Sequence, residues 1–544
     1  MEFIMARTCG EALMLLLEKY GVTTVFGIPG EHTLELYRGI EKSQVRAITP
    51  RNEQGASFMA DGYARVTGKP GVCTIITGPG VTNAATGIGQ AYADSIPMLV
   101  ISSANDSPSL GKGWGRLHET RDLCAITRPI TEFSVMVHDP EEVPGLIARA
   151  FTLFSSQRPR PVHIAIPIDI MEMEVRDDWE VANLPTLPKA SARSILQAAE
   201  LLAGSESTIM MVGGGTQMAS DVVTRLAEIL NVGVIASNAG KGVVSDEHPL
   251  SLGGSIISPA MHEYLATVKT VLAIGTELGE ADSFIYDLPI KGDVIRIDID
   301  PNRFQDAFPC KVAVLGDAKD ACLQLIDELE EYSIETATKD VHAVLNKLRK
   351  NQSDQFTDVE KQHIRTLDIL RDELDDDAII MGDIAQLVYT GTVAMKTLQP
   401  RTWFYPAGFG TLGCALPDAI GAKLALPERQ VIALVGDGGF MFTVSELATA
   451  VEEELSIPIV IWHNHSYAMI RDGMVKRGIP EIGVNPKAPD FIKLADAFGC
   501  EGISVSSEDG LRQAMKKAFA ASGPTLIVVT EDDPWLTEGR GNLI

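Results

Sequence analysis

The sequence predicts an α/β protein of three doubly wound domains, each a parallel sheet covered by helices. Three observations predict it. At 544 residues the chain is too long for one core and divides into about three units of the usual ~150 residues. Short apolar runs alternate with amphipathic helical stretches along the whole length, the pattern of parallel βα layers. Several of the apolar runs end in glycine-rich turns, and in doubly wound sheets ligands bind outside the carboxyl ends of the strands.

The first unit, residues 1–178, opens on EALMLLLEKYG, an amphipathic helix that stops at glycine. TTVFGIPG, GVCTIITGPG and MLVISSA then run from strand into turn, and PVHIAIPIDI closes the unit. A proline-rich polar connector from Trp179 to Ala190 leads to the second unit, residues 190–345. Its strands are TIMMVGGG, VGVIAS, TVLAIGTE and DVIRIDID. A charged helical stretch, Asp340 to Lys361, precedes the third unit, residues 365–544. There AIIMGD, TWFYPA, VIALVGDG, IPIVIW and TLIVVT read as five strands. No short-period repeat or low-complexity tract is evident.

Composition narrows the function classes. With 45% hydrophobic and 22% charged residues the chain is globular in character. Its 73 acidic against 46 basic residues give a net charge of -27, which argues against nucleic acid or an anionic membrane as the main partner. The seven cysteines are scattered with no CxxC pair, as expected of reduced thiols in a cytoplasmic protein. The opening MEFIMARTCG lacks the long apolar run of a signal peptide, and no uninterrupted apolar stretch is long enough to span a membrane.

Chemistry concentrates in the third unit. VIALV ends in Gly436-Asp437-Gly438-Gly439-Phe440, and Thr443 and Glu446 follow at capping-box spacing. The next strand, IPIVIW, ends in His463-Asn464-His465-Ser466. Two parallel strands joined by one helix lie side by side, so the Asp437 carboxylate and the Asn464 amide oxygen can converge on one hard cation. Magnesium prefers such oxygens and completes its shell with phosphate and water. Gly436, Gly438 and Gly439 allow backbone N–H groups to approach a diphosphate. A lone GDGG is equally a plain strand-to-helix turn; the asparagine on the neighbouring strand gives it the metal reading. Upstream, Gly408-Phe409-Gly410-Thr411-Leu412-Gly413 is a formal GxGxxG. A metal motif, not a ribose-binding acid, follows it, so the dinucleotide reading is weak.

GDGGF with Asn464 resembles the thiamine diphosphate (ThDP) motif of the acetolactate synthase, benzoylformate decarboxylase and pyruvate decarboxylase superfamily. Thr49-Pro50-Arg51-Asn52-Glu53-Gln54-Gly55-Ala56 resembles the glutamate segment of its synthases, and the general resemblance covers nearly the whole chain. It implies pyrimidine-binding, central and diphosphate-binding domains that hold ThDP and magnesium. By that resemblance Asp437 and Asn464 bind the metal by side chain, Ser466 binds it by its carbonyl, and Tyr467 lies beside the cofactor. His463 departs from the family, which has a first asparagine there. The Gly410 carbonyl and the Leu412 N–H would bond the aminopyrimidine, and the Leu412 side chain would wedge the cofactor into its bent form. Glu53 would contact the pyrimidine ring nitrogen, favour the imino tautomer and so promote the thiazolium ylid that attacks a 2-oxo carbon. Its bland alternative is a helix-start glutamate favoured by the macrodipole. Thr77-Gly78-Pro79-Gly80 resembles the loop framing the interface where Glu53 of one subunit meets the metal motif of another. A homodimer is then the minimum, and a homotetramer is common. In acetolactate synthases the central domain holds FAD. Here Gly213-Gly214-Gly215, Asp298 and Asp300 fit that domain, but Thr276, Glu277, Glu280 and Asp282 stand where an arginine-rich flavin segment is expected. That departure counts against FAD and leaves it an open alternative.

GIPGEHTLELYRG, EQGASFMADGYARVTGKPGVC, SLGKGWGRLHET and the GDGGF…IRDGM block are similar to the 2-ketoarginine (5-guanidino-2-oxopentanoate) decarboxylases within that superfamily. Glu31, Glu119 and Asp472 are then three acids suited to a guanidinium, which carboxylates bind bidentately, with His32 next to Glu31. Glu119 falls where the synthases carry a Gln-Glu pair near the reacting centre, so the resemblance also makes it a catalytic candidate beside His118. Each acid alone could equally be a solvated surface group. His118 is a proton donor or acceptor, or a packed loop histidine. The expected reaction is non-oxidative decarboxylation of a 2-oxo acid. An acetolactate synthase joining two 2-oxo acids is the alternative; its acceptor-selecting tryptophan would fall near Gly473, where this chain has no large side chain. A flavin-dependent pyruvate oxidase and a non-catalytic ThDP-binding protein are further alternatives. Glu53 argues against the last, because binding alone does not need that acid.

Overall fold

A computed structural model of the chain describes residues 7–175, 178–332 and 340–537. Residues 1–6, read above for a signal peptide, and the last residues of the third unit lie outside the described residues.

The apolar runs fold into three parallel sheets, one in each unit. The first contains β1 Thr24–Phe26, β2 Arg46–Ile48, β3 Gly71–Ile75, β4 Met98–Ala104, β5 Phe133–Met136 and β6 Val162–Pro167, in spatial order 2-1-3-4-6-5. The second contains β7 Thr208–Val212, β8 Gly233–Ala236, β9 Thr270–Ile274, β10 Asp293–Asp298 and β11 Val312–Leu315, in order 8-7-9-10-11. The third contains β12 Ile379–Gly382, β13 Trp403–Phe404, β14 Val431–Gly436, β15 Pro458–His463, β16 Glu501–Ser504 and β17 Thr525–Thr530, in order 13-12-14-15-17-16. The first and third sheets therefore share one winding. A short antiparallel pair, Arg7–Thr8 with Glu174–Val175, ties the start of the first unit to its end.

The central strands are buried on both faces, which is why they read as unbroken apolar runs: all residues of β4 and β6 are buried. Four strands were not expected from sequence: β2, β5, β11 and β16. Each lies at a sheet edge, where one side is unpaired and the apolar demand is weak. β16 even contains Gly502 and has no fully buried residue.

Helix α1, Cys9–Lys19, is the expected amphipathic start. Thr8 and Glu11 close a reciprocal capping box at its head. Helices α2 Glu53–Thr67, α3 Pro79–Ala93 and α4 Ala415–Ala425 join the first and third units. One buried cluster runs through both, with Phe26, Met59 and Ile88 from the first packed with Leu416, Ile420 and Phe440 from the third. Glycines set the crossing of α2 and α4. A Cβ at Gly62 would stand 2.1 Å from the Asp418 carbonyl oxygen, and one at Gly421 would stand 1.9 Å from that of Met59. Beside the crossing, buried Arg65 pairs with Asp61 at 2.9 Å and with Asp94 at 2.7 Å. Among the described residues no helix is long and apolar enough to cross a membrane, and all seven cysteines are free.

Candidate active site

β14 and β15 are adjacent and parallel, with Gly436 opposite Trp462. That register brings Asp437 level with His463 and Asn464 at the carboxyl ends. Asp437 is buried, and its Oδ1 accepts the Gly438 N–H at 2.8 Å. Its Oδ2 accepts the His465 N–H at 2.7 Å and lies 2.9 Å from His463 Nδ1. The histidine at position 463 thus orients the Asp437 carboxylate. Asn464 donates to Gln386 Oε1 at 3.3 Å, and its own oxygen receives the Ser466 N–H at a long 3.4 Å. Tyr467 packs on the loop so closely that a Cβ at Gly438 would stand 2.4 Å from its ring. Among the described residues no group of three or more His, Cys, Asp and Glu forms a metal cluster. A cation here would take one carboxylate, one amide oxygen and the Ser466 carbonyl. That all-oxygen set fits magnesium, with the remaining positions for phosphate and water.

The second wall is the 408–413 turn between β13 and α4. Gly410 and Gly413 have φ of +69° and +84°, the left-handed region that glycine tolerates. A Cβ at Gly410 would meet nothing within 4 Å, so this turn borders open space. Leu412 is half-buried next to it, and Gly413 is held from both sides. Its N–H donates to the Asp383 carboxylate at 3.0 and 2.9 Å, and its carbonyl accepts Thr443 Oγ1 at 2.5 Å. Thr443 therefore does not close the expected capping box: no side-chain cap forms there, and Glu446 is committed elsewhere. Asp383 is fully buried, and that burial pushes its carboxyl up to about 6 against the N–H groups of Gly413, Ile384 and Ala415. Loops 382–386, 410–413 and 437–439 close around this one carboxylate. Sequence reasoning assigned Asp383 no role; the available signal was an acid directly at the end of the strand IIMG.

Glu53 is the first residue of α2 and is buried. Asn52 caps that helix by accepting the Gln54 N–H at 2.8 Å. Glu53 Oε2 accepts Asn83 Nδ2 at 2.9 Å, while Oε1 makes no hydrogen bond among the described residues. A buried carboxylate with one oxygen fixed and one unengaged is what a ring nitrogen of a cofactor requires. At the carboxyl end of the same sheet His32 and His118 meet edge to face, with ring centroids 5.7 Å apart. His32 is buried and its Nδ1 has no hydrogen-bond partner among the described residues. Burial first, and His118 second, hold its pKa below the usual histidine range, while Glu31 pulls the other way. Glu31 itself is exposed on the turn Glu31–Thr33.

Two of the expected substrate acids need restating. Glu119 is engaged within its own loop: its carboxylate accepts the backbone N–H groups of Gly113, Trp114, Gly115 and Arg116 at 2.7–3.2 Å. Partial desolvation raises its carboxyl, but those four donors outweigh it and bring it below the ordinary value. Its task is to fold the 113–119 loop. Asp472 is exposed, pairs with its neighbour Arg471 at 3.1 Å and lies 3.5 Å from Gln386 Nε2. Through Gln386 it adjoins Asn464, on the metal side of the site. The structure thus gathers Glu53, His32 and His118 at the carboxyl end of the first sheet, and Asp437, Asn464, Ser466, Tyr467, Gly410 and Leu412 at that of the third.

In the second unit, a Cβ at Gly213 would stand 2.3 Å from the Gly275 carbonyl oxygen, and one at Gly215 2.9 Å from Gly275 Cα. These glycines let two turns pack backbone against backbone, so they carry no argument for a flavin. Asp282 is engaged with the Asn238 side chain and N–H.

Comparison with known proteins matches all three units. The N-terminal TPP binding domain of thiamine pyrophosphate enzymes matches residues 7–126, the central domain of those enzymes 195–325, and their C-terminal TPP binding domain 383–529. The chain is 47% identical over 524 residues to a Pseudomonas aeruginosa protein named "Probable 2-ketoarginine decarboxylase AruI", covering 96% of this chain and 93% of that one. It is 32% identical over 550 residues to a probable acetolactate synthase large subunit of Methanocaldococcus jannaschii, covering 96% and 91%. It is 30% identical over 554 residues to the acetolactate synthase of Mycobacterium bovis, covering 96% and 87%. The chain belongs to the thiamine pyrophosphate enzymes, with all three of that family's domains present.

Proposed function

We propose that this enzyme removes CO2 non-oxidatively from a 2-oxo acid with a distal guanidinium, such as 2-ketoarginine, and that it works with magnesium in the cytoplasm. The carrying observation is a gap in similarity. Each match covers 96% of the chain, and identity is 47% to the ketoarginine decarboxylase relative but 32% and 30% to acetolactate synthases. A carboxylate at each edge of the site supports the reading: Glu31 beside the His32–His118 pair, and Asp472 beside the metal loop. A guanidinium and a carboxylate bond bidentately, which gives direction as well as attraction. Pyruvate, without a distal charge, gains nothing from them.

Bound ThDP supplies the electron sink for the carbon that loses CO2. The chain's own residues do the rest. Asp437, Asn464 and the Ser466 carbonyl would hold magnesium, and with it the diphosphate. Gly410 and Leu412 offer a carbonyl and an N–H to the aminopyrimidine, and Asp383 fixes their turn. Glu53 Oε1 would hold the proton that faces the pyrimidine ring nitrogen, while Asn83 steadies Oε2. His32 and His118 stand ready to move a proton at the reacting carbon. In this reading the subunits pair so that Glu53 of one faces the metal loop of the other, making a homodimer the smallest active unit and a homotetramer a natural assembly.

The test compares kcat/KM for 2-ketoarginine and pyruvate in Glu31→Gln and Asp472→Asn. Both acids are exposed in the free chain, where a pair is worth ~0–1 kcal/mol; once bound substrate seals the pair from water, breaking it costs ~3–5 kcal/mol, so loss of the acid that meets the guanidinium should cost on the order of a hundredfold on ketoarginine alone. Equal losses on both substrates in both variants would remove these acids from recognition.

A further inference from the structure

Glu446 spaces like a capping-box acid, yet its carboxylate leaves its own unit. The side chain is fully buried. Oε1 accepts the N–H groups of Arg51 at 3.1 Å and Asn52 at 3.0 Å. Oε2 accepts the Arg51 N–H at 3.1 Å and Thr449 Oγ1 at 2.8 Å. Arg51 and Asn52 are the two residues directly before Glu53, where α2 begins. Their N–H groups precede the helix and have no acceptor within it. Gly55 completes the arrangement: a Cβ there would stand 2.3 Å from Glu446 Oε1, so the carboxylate reaches this place only because residue 55 is glycine.

We propose that Glu446 is a positioning residue for Glu53: by holding the two peptides ahead of α2, it fixes where the Glu53 carboxylate stands against Asn83 and the cofactor ring. The inference rests on the reading of Glu53 given above. In this role Glu446 acts through the Arg51 and Asn52 backbone that its carboxylate holds. It does so from the turn Val444–Glu446 that follows the Asp437–Phe440 segment, so the Asp437 loop and the Glu53 loop of one chain are braced together. A displacement of about 1 Å at a reacting group is enough to cost on the order of a hundredfold in rate.

The experiment measures exchange of the ThDP thiazolium proton with solvent deuterium by NMR, without substrate, alongside kcat, KM and ThDP affinity. The variants are E446Q, E446D, E446A and G55A, with E53Q and the double variant E53Q/E446A. E446D and E446A should slow exchange and kcat by roughly tenfold to a hundredfold, with ThDP affinity and KM within about threefold of the parent. G55A displaces the carboxylate from the other side and should behave like E446D. E446Q keeps the Oε1 acceptor and should recover most of the rate. E53Q/E446A should be no slower than E53Q within about twofold, because the second change acts through the first. Parental exchange rates in both E446D and G55A would overturn the proposal even if E446A fails to fold. Effects of E53Q and E446A that multiply would overturn it alone. A parental exchange rate in E53Q would overturn the Glu53 reading and this inference with it.

Discussion

Glu53 has one carboxylate oxygen bonded to Asn83 and one unengaged, so its charge and its geometry can be tested separately. Glu53→Gln keeps the shape and the Asn83 neighbour but loses the acid. ThDP affinity measured by calorimetry should stay near the parent's, while kcat falls ~100- to 10,000-fold, the usual worth of a general acid–base group. Activity within about threefold would remove Glu53 from the mechanism. Asp437→Ala removes the only carboxylate of the proposed metal site, and calorimetry should then show no magnesium-dependent gain in ThDP affinity. An undiminished gain would place the metal elsewhere. These residues were legible in the sequence because the motif, the strand end and the strand pairing all point to them. Glu119 and Asp383 were not, because their partners are backbone N–H groups. Nothing in residue type or spacing announces that a carboxylate will be spent on its own loop, as Glu119 is, or on Gly413, as Asp383 is. Glu119→Gln should therefore lower kcat/KM for ketoarginine and pyruvate together, by loosening the loop, and a selective loss on ketoarginine would restore it as a substrate contact.

At the scale of elements, the α2–α4 crossing is where the first and third units become one body. Gly62→Ala should overpack it and cost about 1–3 kcal/mol, read as a lower melting temperature of the enzyme; an unchanged melt would show that the crossing gives way freely. The buried histidines add a pH term. His163 on β6 is enclosed by Ser102, Thr127 and Ser134 at 2.7–2.9 Å, and burial pushes it down to about 4. His363 is likewise pushed down to about 4. Both folded values lie below the unfolded value of ~6.5. The unfolded chain therefore protonates first as the pH falls. Stability is whole above about pH 6.5 and is lost toward pH 4. His163→Gln should flatten that fall in melting temperature, and an unaltered slope would contradict the account. The central strands and α1 were legible because burial on both faces, or on one stripe, writes itself into apolar periodicity. Four of the six edge strands of these sheets were not, because an edge makes half the demand.

Over the whole molecule, the first and third sheets repeat one strand order although the sequence shows no repeat. Parallel winding asks only for buried apolar strands, and many sequences satisfy it. The three-unit plan was readable for that reason, while the shared core of the first and third units was not, since apolar helix faces do not name their partners. The substrate is the part of the account that depends on charge at the mouth of the site. It is tested most directly by CO2 release from 2-ketoarginine and pyruvate by the purified enzyme, supplied with ThDP and magnesium, with acetolactate measured in the same reactions. The account predicts a kcat/KM for 2-ketoarginine at least about a hundredfold above that for pyruvate, dependence on both additions, and little acetolactate. Preferred turnover of pyruvate with acetolactate as the main product would contradict it and make the chain a synthase.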